Sequence, residues 1–205
     1  MAAPPKTSDA AIIKSARILL ERHGRSGFSM NDVASRVGVR APSLYSRFAD
    51  RAALLDELEV TLWGELRARL EGRMVGGKPI ESLRALARAY RAFAKSNPNG
   101  YFLLFDLRRA PSPEAKRARA GAMQPILDVL ADPLGEREAD RVARMFAPYL
   151  HGFVAMELAG AMRGGSGLGT AFEQGVEAIL QQVPRTARAK AGPRAVSRTG
   201  TRRAT

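Results

Sequence analysis

The stretch 28–51 combines short apolar runs with polar residues that begin and end helices. Ser29 can cap a helix because its hydroxyl can accept a hydrogen bond from the first turn. Asp32, three residues later, can accept one from the cap N–H in return. The apolar residues that follow lie on one face at helical spacing. This pattern predicts a short helix over 30–37.

A sharp turn and a second short helix are predicted next. Gly38 stands where a helix of two turns needs a left-handed residue to end, and Pro42 is tolerated in the first turn of a helix over 41–48. Leu44 and Phe48 would face the first helix. The outward positions are Arg40, Ala41, Ser43, Tyr45, Ser46 and Arg47.

Two short helices joined in this way are typical of a helix-turn-helix, in which the second helix enters the major groove of DNA. Its outward face carries Arg40 and Arg47 and no acidic residue, which favours contact with nucleic acid. The alternative is a pair of short helices inside an ordinary helical domain, with solvated arginines. Asp50 can cap a further helix that begins at Arg51, a cation that opposes the helix macrodipole. A nearby phosphate explains Arg51 better than helix stability does.

The run GVRAPSLYSRFADRAALLDEL over 38–58 resembles the N-terminal domain of the TetR family of bacterial transcriptional regulators. The family shares a Gly-Val turn, a Leu-Tyr-x-x-Phe recognition helix and a basic residue that opens the next helix, and all three are in register here. Members often carry Gly where Pro42 stands and Lys where Arg51 stands. Arg can hold a phosphate as well as Lys can, so this role is retained, whereas the base preference can differ.

The remaining segments have helical periodicity. The predicted helices cover 9–23, 51–73, 79–95, 100–107, 113–130, 137–162 and 168–183. The expected fold class is all-α, with an N-terminal three-helix helix-turn-helix domain and a helical C-terminal domain. The helix over 51–73 would span about 30 Å and connect the two domains. The TetR resemblance implies that movement of this helix couples them.

The helix over 137–162 is apolar nearly all round, so it is either buried on every side or partly covered by a partner. Within it, the run Tyr149–Gly160 is similar to the signature of one TetR C-terminal subfamily, a His-Gly pair followed by Glu-Leu. This resemblance implies a homodimer that pairs through the last two helices. The expected parts of the chain are a disordered arm (1–7), the DNA-binding domain (8–57), an effector-binding and dimerisation domain (58–183) and a basic disordered tail (184–205).

The composition narrows the classes of protein and site. The chain has 205 residues and no cysteine, which argues against a disulfide framework, a thiolate metal site and a cysteine nucleophile. No stretch approaches the length of a membrane span and no N-terminal apolar run suggests a signal, so a cytoplasmic location is expected and no membrane partner.

The net charge of +13 is unevenly distributed. Residues 184–205 contain seven basic and no acidic residues, whereas residues 1–57 contain nine basic and six acidic ones. The helix-turn-helix interpretation therefore depends on the placement of charge more than on its amount. The tail can add affinity for DNA that is independent of sequence, or it can simply aid solubility.

Aromatic residues concentrate in the expected second domain. They can simply fill the core, or some of them can line a cavity for a small hydrophobic effector, with Tyr90, Tyr149 and His151 as its polar groups. The candidate lining residues are Trp63, Tyr90, Phe93, Phe102, Phe105, Phe146, Tyr149 and His151. His151 lacks a second His or a carboxylate at ligand spacing, so no metal, cofactor or catalytic residue is expected.

The leading hypothesis is a ligand-responsive transcriptional regulator, a repressor as is most frequent in the TetR family, that binds a near-palindromic operator in double-stranded DNA as a homodimer. In this hypothesis the base-edge or adjoining backbone contacts come from Arg40 and Arg47, the short-range contacts from Ala41, Ser43 and Ser46, and the phosphate contacts from Ser29, Tyr45 and Arg51. Two alternatives remain: a small all-α carrier or enzyme with a merely structural N-terminal domain, and an architectural DNA protein driven by its tail.

Overall fold

The computed structural model describes residues 7–76, 78–106, 108–162 and 167–183. Within these ranges the chain forms helices and no strands, which confirms the all-α prediction. In chain order they are α1 (Asp9–His23), α2 (Met30–Val37), α3 (Ala41–Tyr45), α4 (Arg51–Glu71), α5 (Pro79–Ser96), α6 (Pro98–Leu104), α7 (Pro113–Leu134), α8 (Glu136–Leu158) and α9 (Leu168–Leu180). None of these described helices is long and apolar enough to cross a membrane.

The predicted start and end of α2 are confirmed by its hydrogen bonds. The Ser29 hydroxyl accepts from the backbone N–H of Asp32, and the Asp32 carboxylate accepts from the backbone N–H of Ser29 at 2.7 Å. At the other end Gly38 adopts a φ of 73°, a left-handed conformation that costs glycine little. The turn that follows brings α3 back onto α2, where Leu44 and Ala34 are buried.

Most helices differ from their predicted bounds by a few residues. The helix predicted over 100–107 covers 98–104 as α6, and α9 ends at 180 and not at 183. Regular helix ends at Tyr45 in α3 and not at 48, although the Phe48 N–H still bonds the Leu44 carbonyl at 2.9 Å. α8 ends at Leu158 and not at 162, because Gly160 has a φ of 65° and its N–H bonds the Glu157 carbonyl. α7 runs four residues further than predicted, to position 134.

One hydrophobic core runs through the described part of the chain. The long α4 lies at its centre and packs against α1, α5, α6 and α7. Its inward side chains Leu58, Leu62, Trp63 and Leu66 are fully buried. Burial of each such side chain contributes about 1.5–3 kcal/mol. The boundary expected between residues 57 and 58 lies inside α4, so a continuous helix joins the two parts.

The N-terminal helix α1 is fastened to α6 by a carboxylate. Glu21 of α1 accepts hydrogen bonds from the backbone N–H groups of Asn99, at 3.1 Å, and Gly100, at 2.8 Å. A Cβ at Gly100 would lie 2.9 Å from the Glu21 carboxylate and 3.2 Å from Leu62, so a larger residue would displace the carboxylate from this position. Nearby, Arg17 of α1 donates to Asn97 and Glu65.

The expected arm over 1–7, apart from Thr7, and the expected tail over 184–205 lie outside the described residues, as do positions 163–166 of the glycine-rich segment.

Candidate functional site

The outward face of α3 presents the predicted DNA-contacting residues to solvent. Tyr45 is 51% exposed, and the remaining exposed positions on this surface are Ser29, Arg40, Ser43, Ser46 and Arg47. Ala41 is half-buried. Arg40 is the cap residue of α3 and has no ion pair among the described residues. Leu44 and Phe48 hold the opposite side of α3 in the core, so this face is fixed in its orientation.

Arg47 is held by an acidic residue from another helix. Its guanidinium contacts the Asp9 carboxylate at 2.5 Å, and Asp9 lies in the first turn of α1. The segment 40–47 itself contains no acidic residue, but the fold brings Asp9 of α1 next to it. Because Asp9 is well exposed, water and salt screen this pair and its contribution is small.

Two of the predicted phosphate anchors also have structural partners. The Ser29 hydroxyl donates to the Asp32 carboxylate at 2.7 Å, and this bond, with the backbone bond from Ser29, lowers the pKa of Asp32. Arg51 donates to the carbonyl of Phe28 at 2.9 Å and to that of Arg25. Its guanidinium also lies 4.6 Å from the centre of the Phe28 ring. These contacts explain a cation at this helix start without a phosphate, and the phosphate role of Arg51 stays a prediction.

A chain of hydrogen bonds runs through the aromatic residues of the C-terminal part. The hydroxyls of Tyr90 and Tyr101 lie 2.9 Å apart, and the Tyr101 hydroxyl lies 2.7 Å from Nδ1 of His151. Tyr90 and Tyr101 are buried and His151 is half-buried. The chain therefore crosses from α5 through α6 to α8.

Burial sets the protonation of this chain. It raises the pKa of Tyr90 to about 12 and also raises that of Tyr101, while burial and then the charge of Arg119 lower the pKa of His151. The tyrosines are thus neutral donors at pH 7, and a neutral imidazole can accept at Nδ1. Tyr101 can then donate to His151 and accept from Tyr90.

Aromatic rings surround the histidine end of the chain. The Phe105 ring centre lies 4.0 Å from that of His151 and 5.3 Å from that of Trp63, the latter in an edge-to-face arrangement. The Tyr101 ring centre is 5.0 Å from that of Phe105. We call Trp63, Tyr90, Tyr101, Phe105 and His151 the aromatic cluster. It brings together four of the eight predicted effector-site residues.

The other predicted lining residues are not part of this cluster, although the ring centre of Phe102 lies 6.2 Å from that of Tyr101. Tyr149 stacks on Phe172 of α9 and donates to the Phe172 carbonyl at 2.9 Å, an arrangement that places its hydroxyl where a Cβ on Gly175 would stand. Phe93 and Phe146 are fully buried, and Phe102 is 42% exposed. Tyr149 therefore packs α8 against α9, while His151 faces the aromatic cluster.

Two family models match the chain, one in each part. Residues 12–58 match the model of the bacterial regulatory proteins of the tetR family, and residues 83–179 match that of a tetracyclin repressor-like C-terminal domain. The chain belongs to the TetR family. As a TetR protein it is a DNA-binding transcriptional regulator, and the first match contains the whole helix-turn-helix.

Known proteins resemble the chain over most of its length. An uncharacterized HTH-type transcriptional regulator of Mycobacterium tuberculosis is 29% identical over 165 residues, which are 79% of this chain and 75% of the relative. Among solved structures, a candidate regulatory protein is 27% identical with a TM-score of 0.73, over 84% of this chain and 95% of its own.

Two further solved structures have the same fold at lower identity. A protein of unknown function from Rhodococcus has a TM-score of 0.77 and 23% identity, over 89% of this chain and 99% of its own. A TetR variant from Acinetobacter baumannii in complex with minocycline has a TM-score of 0.65 and 22% identity, over 85% and 95%. These two similarities concern the architecture alone.

Sequence reasoning missed residues of this TetR protein that act across helices. Asp9 beside Arg47, Glu21 beside Gly100 and Tyr101 between two polar groups were not among the predicted site residues. Their partners lie 38, 79 and 50 positions away. The one local signal was the apolar, aromatic-rich composition of α6, which marks a buried helix without indicating what its tyrosine contacts.

Proposed function

We propose that this TetR protein is a ligand-responsive repressor that binds a near-palindromic operator as a homodimer and is released by a small hydrophobic effector. The observation that carries the DNA half of the proposal is the α3 face. It is fixed by buried Leu44 and presents Arg40 without a competing ion pair in the described part of the chain. A helix of this kind reads base edges from the major groove.

Individual roles on this surface follow from exposure and chemistry. Arg40 and Arg47 would contact base edges or the adjoining backbone, since a guanidinium can form two hydrogen bonds to guanine. Tyr45, whose hydroxyl is exposed, would contact a phosphate. Ala41, Ser43 and Ser46 are short enough to let the backbone of α3 approach the groove, and Ser29 and Arg51 would contact phosphates at its edge.

The last two helices support a dimer. Phe146, Leu150 and Val154 bury one side of α8 in the core, whereas Met156 on another side is 51% exposed. Met156 lies in the mostly apolar second half of α8, and in a dimer a helix of the second copy would cover it. A dimer would place two α3 helices on one side of the assembly and give the operator its two-fold symmetry.

The aromatic cluster supports the effector half of the proposal. It combines apolar rings with the tyrosine hydroxyls and His151, the combination that orients a small molecule in a mostly apolar site. It is also adjacent to the DNA-binding part, because α6 supplies Tyr101 and Phe105 and is capped by Glu21 of α1. A change at α6 on effector binding would therefore reach the helix-turn-helix through α1 and α4.

The deciding experiment is selection of bound duplexes from a random DNA pool at near-physiological salt, with the full chain and with a variant that lacks residues 184–205. We expect an inverted repeat to be enriched by both proteins, since α3 and not the tail reads sequence. Loss of enrichment on removal of the tail, or no enriched motif with either protein, would contradict the proposal. In that case an architectural or carrier function would explain the protein better.

A further inference from the structure

Arg119 of α7 lies above the aromatic cluster. Its guanidinium carbon is 5.9 Å from the centre of the Trp63 ring and 5.8 Å from that of Phe105, within the range of a cation–π contact. Its positive charge also contributes to lowering the pKa of His151, so it acts on the interior of the cluster. The position is exposed, and the guanidinium therefore stands between the rings and solvent.

No acidic residue pairs with Arg119 among the residues that the structure describes. Its neighbour on α7, Arg117, is paired with Glu114 at 2.6 Å. Glu59, which lies under the cluster, is held by Arg109 at 3.2 Å and accepts from the Trp63 indole at 3.4 Å. The acid nearest to the cluster is thus already bound by another arginine.

The other carboxylates near this end of α6 are also engaged. Asp56 pairs with Arg109, while Asp106 pairs with Arg25 and with Arg108. Each of these acids therefore has an arginine partner of its own, and Arg119, whose charge acts on Glu59 from a distance, forms no ion pair within the described ranges. A guanidinium without an ion pair at the edge of an apolar site favours a ligand with a negative group, since a charge-assisted hydrogen bond is stronger than a neutral one.

We propose that the effector of this protein is an amphipathic anion, an apolar body with a carboxylate or a similar acidic group, whose acid pairs with Arg119 while its body lies against the half-buried ring of Phe105. The inference rests on the proposed effector function and adds the chemical class of the ligand. A neutral apolar compound would use the rings alone. A cationic one would meet the charge of Arg119 directly.

The test uses the one tryptophan of the chain, Trp63, as a fluorescent reporter. The full-length protein is titrated with phenylalkanoates of increasing chain length and with the matched phenylalkanols and phenylalkylamines. We expect the acids to bind about ten- to a hundredfold more tightly than the alcohols of equal length, which corresponds to one charge-assisted hydrogen bond. The amines should bind least, and added salt should weaken the acids but not the alcohols.

Variants on α7 assign the effect to one side chain. Arg119→Gln should lower the affinity for each acid to that of its alcohol and leave the alcohol unchanged, and Arg119→Lys should retain part of the preference. Lys116→Gln, an equal change of charge at an exposed position on the same helix, should change neither. All these positions are exposed, and unfolding midpoints verify that the variants are folded.

The outcomes separate this inference from the effector proposal itself. If acids and alcohols bind equally well, or Arg119→Gln leaves the preference intact, an apolar effector site remains but the anionic class is wrong. If none of the compounds binds at any chain length, the class is likewise overturned. The DNA selection described above then tests the regulator function independently.

Discussion

Three arginines of α5 each meet a glutamate of another helix through two nitrogen–oxygen hydrogen bonds, as in Arg91, which donates to both oxygens of Glu157 at 2.7 Å. The pairs are Arg84–Glu177, Arg88–Glu173 and Arg91–Glu157. On the helix-turn-helix, by contrast, Arg40 has no ion pair within the described ranges and Arg47 meets only the exposed Asp9. The same residue type thus joins helices in one part and remains accessible in the other.

This contrast teaches that accessible charge, more than total charge, distinguishes a binding surface. The arginines of α5 cannot bind a phosphate without breaking pairs that join α5 to α8 and α9. Arg40 can bind a phosphate without breaking any ion pair within the described ranges. Arg47 would break only its pair with the exposed Asp9, which solvent and salt already weaken. Arg119 resembles Arg40 in this respect, although it lies in the C-terminal part.

The largest effect is expected when the buried side chain that holds α3, and with it the accessible arginines, is removed. Leu44→Ala removes the fully buried side chain that orients α3 and should destabilise the protein by about 2–5 kcal/mol, because a cavity remains in the core. Thermal or denaturant unfolding measures the change. Ser43→Ala, its exposed neighbour, should stay within about 0.5 kcal/mol. Equal midpoints for the two variants would show that Leu44 does not hold the recognition face.

The second test removes an accessible arginine of the helix-turn-helix. Arg40→Ala should weaken binding to the selected operator by about 1–3 kcal/mol if the lost contact is a pair of hydrogen bonds to guanine. Fluorescence anisotropy with operator and with random DNA measures both affinities. Equal losses on the two DNAs would assign Arg40 to the backbone. Arg88→Ala, a paired arginine far from this face, is the matched control and should leave both affinities unchanged.

The third test concerns the paired side of the comparison. Glu157→Gln leaves Arg91 without its charged partner, and because the two side chains are only 10% and 17% exposed the variant should lose about 1–2 kcal/mol of unfolding free energy. Glu173→Gln breaks a more exposed pair and should lose less than about 1 kcal/mol. Urea unfolding at pH 7 compares them. A larger loss in Glu173→Gln would contradict the ranking by burial.

The stabilisation by the Arg91–Glu157 pair should also depend on pH, in a direction that the pKa of Glu157 predicts. Hydrogen bonds from Arg91 lower the pKa of Glu157 below its ordinary value of 4.5 in the folded protein. The stabilisation is therefore complete above pH 4.5, and it is lost as the pH falls through the lower pKa that Glu157 has in the folded protein. The stability difference between the protein and Glu157→Gln should shrink over that range. A difference that grows on acidification would contradict this assignment.

The smallest effect concerns Asp9, the acid that is paired with Arg47. Asp9→Asn frees Arg47 from its exposed partner and removes a negative charge beside the DNA, so operator affinity should rise by about two- to fivefold. The increase should vanish at high salt, where such contacts are screened. Glu57→Gln, an exposed acid on α4, serves as the control for a general change of charge. An unchanged or lower affinity of Asp9→Asn would mean that Asp9 positions Arg47 and does not compete for it.

Features that depend on neighbours in the sequence could be predicted, and those that depend on distant residues could not. Ser29 and Asp50 cap the helices expected of them, and Leu44 and Phe48 face inward as their spacing indicated. The Asp9–Arg47 contact spans 38 positions, and no local pattern indicates it.

The structure separates two of the predicted effector-site residues, and the geometric cause is contained in the sequence. Tyr149 and His151 were assigned to one site, yet residues two apart on a helix point about 200° apart around its axis. In the structure one contacts Phe172 of α9 and the other contacts Tyr101 of α6. Helical periodicity applied to α8 would have separated them. Tyr101 itself could not be singled out, since only packing shows which of several aromatic residues meets a histidine.

The short length of α6 determines how far a conformational change at the aromatic cluster would have to be transmitted to reach α1. This helix contains seven residues and is therefore about 10 Å long. The Glu21 carboxylate holds the backbone of its first turn, and its last turn carries Tyr101, whose ring centre lies 5.7 Å from that of His151. A helix as short as α6 cannot bend enough to take up a rotation of one of its ends. The two ends are less than two helical turns apart, so we expect a rotation at the aromatic end either to move α1 with it or to break the hydrogen bonds to Glu21.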